Sequence, residues 1–304
     1  MKRTKRKLTE KQKRTVKLAL AWGLSAVLFL AAIIFAVCVK MTLDNSPYIY
    51  NITTKGTLEI QLRSNSPVYD YGKIDIPKKI SIFKVSALRD YAFWDANSTK
   101  DIKIPQGIER IGSSAFGKCS SLTKVTIPDS VYYIGGHAFS GCSELTEINI
   151  PDGVKAVEKG TFKQCIALKS ISIPGSVTKI GDEAFAESGL TSIIIPKKVT
   201  EIGKNAFSNC SELREIKISG GATIESCAFL KCASLESLTI SAGTSIKEKA
   251  FYDCKNLVRI NFIGTTEQWK NHTSKGYMWD EYTGDYTVYC TDGTVSKSGI
   301  VTLN

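Results

Sequence analysis

Nine cysteines, two histidines and a scatter of carboxylates are the residues of this chain best suited to chemistry. Their spacing argues against most of it. His137 and His272 stand alone, and no Cys-x-x-Cys pair occurs; Cys227 and Cys232 are separated by four residues. Gly-x-Ser-x-Gly, His-Glu-x-x-His and a glycine-rich phosphate loop are all missing from the sequence. The expectation is therefore no catalytic residues, no metal site, no cofactor and no enzyme activity. Six cysteines do recur regularly: Cys119, Cys142, Cys165, Cys210, Cys232 and Cys254. Residues stacked in register point the same way and lie about 4.8 Å apart. A disulfide needs its two Cβ atoms about 3.8 Å apart and turned toward each other. Ala96 and Ser188 share the same column. The column therefore reads as buried free thiols, small apolar groups filling a slot. Cys227 and Cys290 lie off the column and are the candidates for redox chemistry in an oxidising compartment.

The cysteine column belongs to a repeat. Phenylalanine recurs at Phe93, Phe116, Phe139, Phe162, Phe185, Phe207, Phe229 and Phe251, a period of 23 residues that shortens to 22. Six of the eight prolines form a second column: Pro77, Pro105, Pro128, Pro151, Pro174 and Pro196. Rare residue types do not align at one period by chance, and such a period marks a solenoid. The unit reads I-P-x-x-V-x-x-I-G-x-x-A-F-x-x-C-x-x-L-x-x-I-x-I-P.

Each column implies a position. In L-x-x-I-x-I the last apolar residues alternate as a half-buried strand requires, so Val125 and Ile127 face inward and Lys124 and Thr126 outward. The following proline cannot donate to a ladder and ends the strand. In I-G-x-x-A-F-x-x-C the apolar residues fall three and four apart, which predicts one helical or 3₁₀ turn across the coil. A single coil cannot bury its apolar side, and stacking does so. The fold class is thus a repeat solenoid of α/β type, mostly short parallel strands in leucine-rich-repeat-like coils of 22–23 residues. Eight coils at strand spacing span roughly 40 Å.

The two ends differ from the repeats. The net charge is +11, and residues 1–17 hold nine Lys or Arg against Glu10 alone. The folded part is therefore nearly neutral and lacks the basic stripe of a nucleic-acid protein. Leu18–Val39 is 22 residues without a charge, about 33 Å as a helix and long enough to span a bilayer. It exceeds a signal-peptide core, and Phe35–Cys38 is a poor cleavage site; Val37 also fails the small-residue requirement of a lipoprotein Cys38. The basic flank orients the N-terminus inward. The organisation expected is a cytoplasmic tail at 1–17, a transmembrane helix at 18–39, a linker at 40–56, the solenoid at 57–262, and a C-terminal cap and tail at 263–304. In the last segment Trp269, Tyr277, Trp279, Tyr282, Tyr286 and Tyr289 are expected to cover the open edge of the final coil, the alternative being an aromatic ligand platform. The sequons at Asn51, Asn97 and Asn271 matter only in a host that glycosylates secreted proteins.

The sequence resembles the BspA-type leucine-rich repeat family of bacterial and some protist surface proteins, over roughly residues 57–292. Ile104–Phe116, Ile127–Phe139 and Ile173–Phe185 carry the resemblance, with Asp75–Phe93 like the family's longer first repeat and Phe262–Gly293 like its closing segment. Glu158, Glu225 and Lys247 depart from the turn glycine and Thr161 from the alanine, which implies wobble in the turns. The resemblance implies a surface-displayed binding or adhesion module for an extracellular protein or glycan, with no particular ligand. Solenoids bind through their extended strand face. The outward strand positions are Asp101, Lys103, Lys124, Thr126, Glu147, Asn149, Ser170, Ser172, Ser192, Ile194, Glu215, Lys217, Ser237, Thr239, Arg259 and Asn261. Ile194 is the one apolar member and the best single contact. The competing expectation is a structural or sensory ectodomain of a cell-envelope complex.

This topology has a direct test. Protease added to intact cells is expected to remove everything beyond Lys40, and a protected repeat domain would reverse the orientation.

Overall fold

The computed structural model describes residues 48–62, 76–80, 82–271 and 276–304. The described residues of Pro47–Lys79 and Phe83–Asn304 form one compact unit, a β-solenoid. The basic tail at 1–17 and the span expected at 18–39 lie outside the described residues. Among those described, no helix is long and apolar enough to cross a membrane.

Two strand ladders run along the solenoid. On one face Asp101–Lys103, Lys124–Thr126 and Glu147–Ile148 pair in parallel. Farther along, Ser192–Ile195, Glu215–Ile218, Ser237–Ser241 and Arg259–Ile263 do the same. The other ladder is built from the residues before the glycine column, such as Arg110–Ile111 paired with Tyr133–Ile134 and Lys179–Ile180 with Glu201–Ile202. Within each face strand the alternation is strict: Ile193 and Ile195 are buried and Ser192 and Ile194 exposed.

The helical or 3₁₀ turn expected after the glycine does not form. Among the described residues the only helix is Thr266–Lys270. The turn's N–H groups alternate in direction instead. Those of Ala115, Gly117 and Cys119 bond back to the carbonyls of Gly112, Ser114 and Phe116. Those of Ser114, Phe116 and Lys118 donate to Gly136, Ala138 and Ser140 of the next coil, at 2.9, 2.8 and 2.7 Å. A helix directs every N–H along its own axis and leaves none to tie coils together. The alternation requires left-handed residues, and each coil has two, here Ser114 (φ 53) and Lys118 (φ 59). Such backbone costs a non-glycine residue roughly 1–2 kcal/mol, a cost the inter-coil bonds offset. The glycine column has a different cause. A Cβ on Gly112, Gly135, Gly181 or Gly203 would lie 2.4–2.7 Å from backbone of the preceding coil.

The core is the phenylalanine column. All eight rings are fully buried, and neighbours stack nearly parallel with centroids 5.0–5.8 Å apart. Beside them the column cysteines are free thiols. They do more than fill space: Cys119, Cys142 and Cys165 donate to the carbonyls of Phe93, Phe116 and Phe139 in the preceding coil, at 3.1, 3.1 and 3.2 Å. Cys210, Cys232 and Cys254 repeat the bond. Burial pushes the Cys119 and Cys165 thiols up to about 12 and Cys210 up to about 11.

Both ladders break between the coils of Phe139 and Phe162, and the face ladder stays open until Ser192–Ile195. Tyr133–Ile134 ends one sheet and Ala156–Val157 begins the next; on the face, Glu147–Ile148 ends a sheet and Ser170–Ser172 forms no strand. The turn bonds continue across the gap, from His137 to Lys159, Phe139 to Thr161 and Gly141 to Lys163. The wobble expected in the turns therefore appears in the strands. This coil carries both Glu158 and Thr161. Glu225 and Lys247 also replace the glycine, yet their strands stay paired. Thr161 is the distinguishing residue: it is buried where every other coil has alanine, and the Phe139–Phe162 step beside it is the widest, at 5.8 Å. The Thr161 hydroxyl is satisfied within its own coil, donating to the Glu158 carbonyl at 2.8 Å.

The ends are closed by strands. Residues 40–56 were expected as a linker, but Tyr48–Ile52 pairs antiparallel with Leu58–Leu62, burying Tyr48. At the other end Trp269, Trp279 and Tyr286 are buried, with the Trp279 ring edge-on to Phe251 at 6.1 Å. The Phe251 N–H donates to the Trp279 carbonyl at 2.8 Å, taking the place of a further coil. Tyr277 and Tyr282 of the same segment remain exposed.

Two measurements follow from this core. In denaturant titrations Phe162→Ala should cost about 3–5 kcal/mol through lost burial and a cavity. Phe93→Ala should cost less, since Phe93 stacks on Phe116 alone, and the exposed Lys124→Ala under about 1 kcal/mol. Equal losses at Phe162 and Lys124 would refute the packing. For the thiols the sign is fixed by their raised values. An unfolded thiol ionises near 9.0 while Cys165 stays protonated to about 12. The thiol contribution is thus complete below about pH 9 and is lost as pH rises toward about 12. Stability should fall over that window, and Cys165→Ala should make the fall shallower; a slope unchanged by that substitution would contradict buried neutral thiols.

Candidate functional site

Among the described residues the strand face is the wider of two surfaces whose side chains repeat in register; the narrower ladder of Lys179, Glu201, Thr223 and Ser245 is the other. Cross-strand pairing sets it out in two rows. One runs Asp101, Lys124, Glu147, and then Ser192, Glu215, Ser237, Arg259. The other runs Lys103, Thr126, and then Ile194, Lys217, Thr239, Asn261. Every one of these residues is exposed or half-buried, as are Asn149, Ser170 and Ser172 between the two sheets.

The rows extend beyond the repeats. Thr287–Tyr289 pairs in parallel with Arg259–Ile263, placing Thr287 beside Arg259 and Tyr289 beside Asn261. The antiparallel strands Gly293–Ser296 and Val301–Leu303 add Thr294 opposite Tyr289 and Thr302 opposite Thr294. Sequence reasoning missed these residues. The period-two pattern of Thr287–Tyr289 was visible, but the step from Arg259 to Thr287 is longer than a repeat and lacks the phenylalanine and cysteine marks.

Local chemistry divides the face into three parts. Near its start Lys124 and Glu147 form an exposed ion pair at 2.7 Å. Asn149 is committed to the backbone: its Oδ1 accepts from the Ile127 N–H at 2.9 Å and its Nδ2 donates to the Ile127 carbonyl at 2.7 Å. It serves as a strand end and not as a free contact. In the middle, where Ser170–Ser172 leaves the ladder, lies a shallow depression of about 530 Å³ lined by Ser170, Ile171, Ser172, Ile193, Ile194 and Pro196. Serines here and long side chains at Glu147, Glu215 and Lys217 on either side make the dip. Ile194 stands at its edge, 62% exposed. Burying an aliphatic side chain of this size is worth about 1.5–3 kcal/mol.

At the far end the Arg259 guanidinium lies over the Tyr289 ring, 4.0 Å from its centroid. Its Nε donates to Asn261 Oδ1 at 2.8 Å, and Asn261 Nδ2 donates to Thr239 Oγ1 at 3.3 Å. Lys217 and Glu215 stand nearby, exposed.

The reactive groups singled out by type lie elsewhere. His137 sits in a turn with its ring against Gly160, and burial lowers its pKa ahead of the effect of Lys159. His272 lies outside the described residues. Cys227 and Cys290 are half-buried and unbridged, and burial raises both thiols, leaving less thiolate for exchange.

Comparison with known proteins follows the same residues. A model of the BspA type leucine rich repeat region matches in six copies, over residues 86–214 and 179–276. A leucine-rich repeat protein from Bacteroides ovatus has a similar structure, with TM-score 0.58 and 27% identity over 79% of this chain; the chain spans 56% of that protein's length. A leucine rich cell surface protein from Faecalibacterium prausnitzii gives TM-score 0.41 and 23% identity, over 76% of this chain and 97% of that one. The leucine rich repeat protein of T. pallidum gives 0.43 and 22%, over 78% and 97%. Curated proteins returned no match.

Proposed function

The chain belongs to the BspA-type leucine-rich repeat family, and from that premise we propose that it is a non-catalytic binding and adhesion module. In this reading residues 18–39 anchor it as a single-pass membrane protein, residues 1–17 stay in the cytoplasm, and the repeats reach outward to an extracellular protein or glycan. The ligand lies along the strand face.

The observation that carries the reading is the pair of outward rows, solvated and in register through Arg259 and Asn261. Their neighbours lie about 4.8 Å apart, so a partner touches several coils at once and each contact can be weak. The central depression with Ile194 at its edge supplies the apolar part of such a contact. Hydrogen-bonding serines at 170, 172 and 192 line the same place. Affinity spread this way has no dominant centre other than Ile194.

Cells displaying the full chain, tested against immobilised matrix proteins and arrayed glycans, provide the check. Ile194→Asp is expected to weaken binding about tenfold, the loss of roughly 1.4 kcal/mol of apolar contact, with unfolding unchanged because the side chain faces water. Charge reversal at Lys204, on the turn side, should leave binding intact. Binding that survives Ile194→Asp and paired reversal of Lys217 and Arg259, yet fails on replacement of Tyr277 and Tyr282, would move the site to the C-terminal segment.

A further inference from the structure

Among the cations of the strand face, Arg259 is the one whose head group is fixed in place. Tyr289 covers one face of the guanidinium at 4.0 Å. Asn261 holds its Nε at 2.8 Å, and Thr239 in turn holds Asn261. The planar group is therefore clamped on a face and on one edge. Its two terminal nitrogens make no ion pair among the described residues, whereas Lys124 is paired with Glu147 and Arg214 with Glu236. A free arginine loses considerable side-chain entropy when it binds; a clamped one has lost most of it already. What remains open is a two-pronged donor, the geometry that accepts a carboxylate through two parallel hydrogen bonds.

We infer that the Arg259–Tyr289 clamp is a carboxylate-binding point for an acidic segment of a protein partner. This rests on the reading of the strand face as the binding surface and adds the chemistry of one subsite. Two features select the partner. Along the same strand the outward residues run Arg259, Asn261 and Ile263, the last 57% exposed. A cation, an amide and an aliphatic side chain in line suit a polypeptide that alternates acidic and apolar residues; a sugar acid offers nothing to the aliphatic position. Lys217 is the second charge. It sits two strands away, with Thr239 between it and Asn261, about 10 Å at strand spacing, and makes no ion pair among the described residues. From Arg259 it is offset by two strands and two residues, about 12 Å, which a second carboxylate four residues on in an extended alternating segment crossing the strands can reach.

Fluorescence anisotropy on the full-length chain in detergent tests this. The probes are a labelled peptide of alternating Glu and Val, the matching Gln and Val peptide, and a trigalacturonate. The Glu peptide should bind, more weakly as salt rises, and the Gln peptide roughly tenfold less well or worse. Arg259→Lys keeps the charge but removes the fork. It should weaken the Glu peptide about tenfold while leaving the thermal unfolding of the protein unchanged. Tyr289→Leu, which frees the guanidinium, should weaken it severalfold. Glu-peptide binding unchanged by Arg259→Lys but lost with Ile194→Asp would overturn the clamp and leave the strand-face reading standing. Binding indifferent to all three substitutions would overturn both. Trigalacturonate binding more tightly than the Glu peptide, with the same Arg259 dependence, would overturn the protein partner in favour of a uronic glycan.

Discussion

Two spacings have to agree in this molecule. Strands that share backbone hydrogen bonds sit about 4.8 Å apart. The phenylalanine rings at the centre of each coil stack at 5.0–5.3 Å through most of the array. A small offset between stacked rings, which their quadrupoles favour in any case, absorbs the difference. Every coil can then be glued to the next both at its core and along its backbone. Where the ring step widens to 5.8 Å, between Phe139 and Phe162, the agreement fails and both strand ladders stop. The turn bonds, the Cys165 thiol on the Phe139 carbonyl and the Ala167 N–H on the Ser143 carbonyl hold that junction together. The depression beside Ile194 lies one coil on, between Ser170–Ser172, which forms no strand, and the strand Ser192–Ile195.

The turns bridge the gap because their bonds are made differently. Three N–H groups per coil point forward and are held there by two left-handed residues, occupied by serine, lysine, histidine, glutamate and asparagine as readily as by glycine. Neighbouring coils impose this conformation, so side-chain preference hardly decides it. The cysteine column belongs to the same scheme. A thiol is small enough for the slot and still donates to the phenylalanine carbonyl behind it, which alanine cannot do. Burial then keeps it protonated and unreactive, which suits a slot that repeats along the core.

A face built by stacking offers a partner many similar positions and few distinctive ones. Distinction arises where the repeat is perturbed: at the ladder break, where small serines and Ile194 replace long charged side chains, and at the C-terminal end, where non-repeat strands bring Tyr289 beside Arg259. Both are departures from periodicity on an otherwise regular surface. Function on such a scaffold is carried by its exceptions, while the regular rows provide length and register.

The sequence by itself determined the solenoid, the phenylalanine core, the free-thiol slot and the outward row, because each repeats often enough for type and spacing to reveal its environment. Val125 had to face in and Lys124 out once the period of two was seen, and Ile194 stood out as the apolar member of a polar row. Other features depended on neighbours in space. The turn pattern resembled a helix because residues three and four apart are apolar in both, and only inter-coil bonding separates the two. Asn149 looked like a free contact until its amide proved to close the Ile127 backbone. The strand expected at Ser170–Ser172 had the right alternation but does not form. Tyr289 joined the face only when a strand outside the repeat period paired with Arg259–Ile263. Periodicity records what every coil must do for itself; where two coils must share one spacing, or a new strand must find a partner, the outcome is set by packing across the chain.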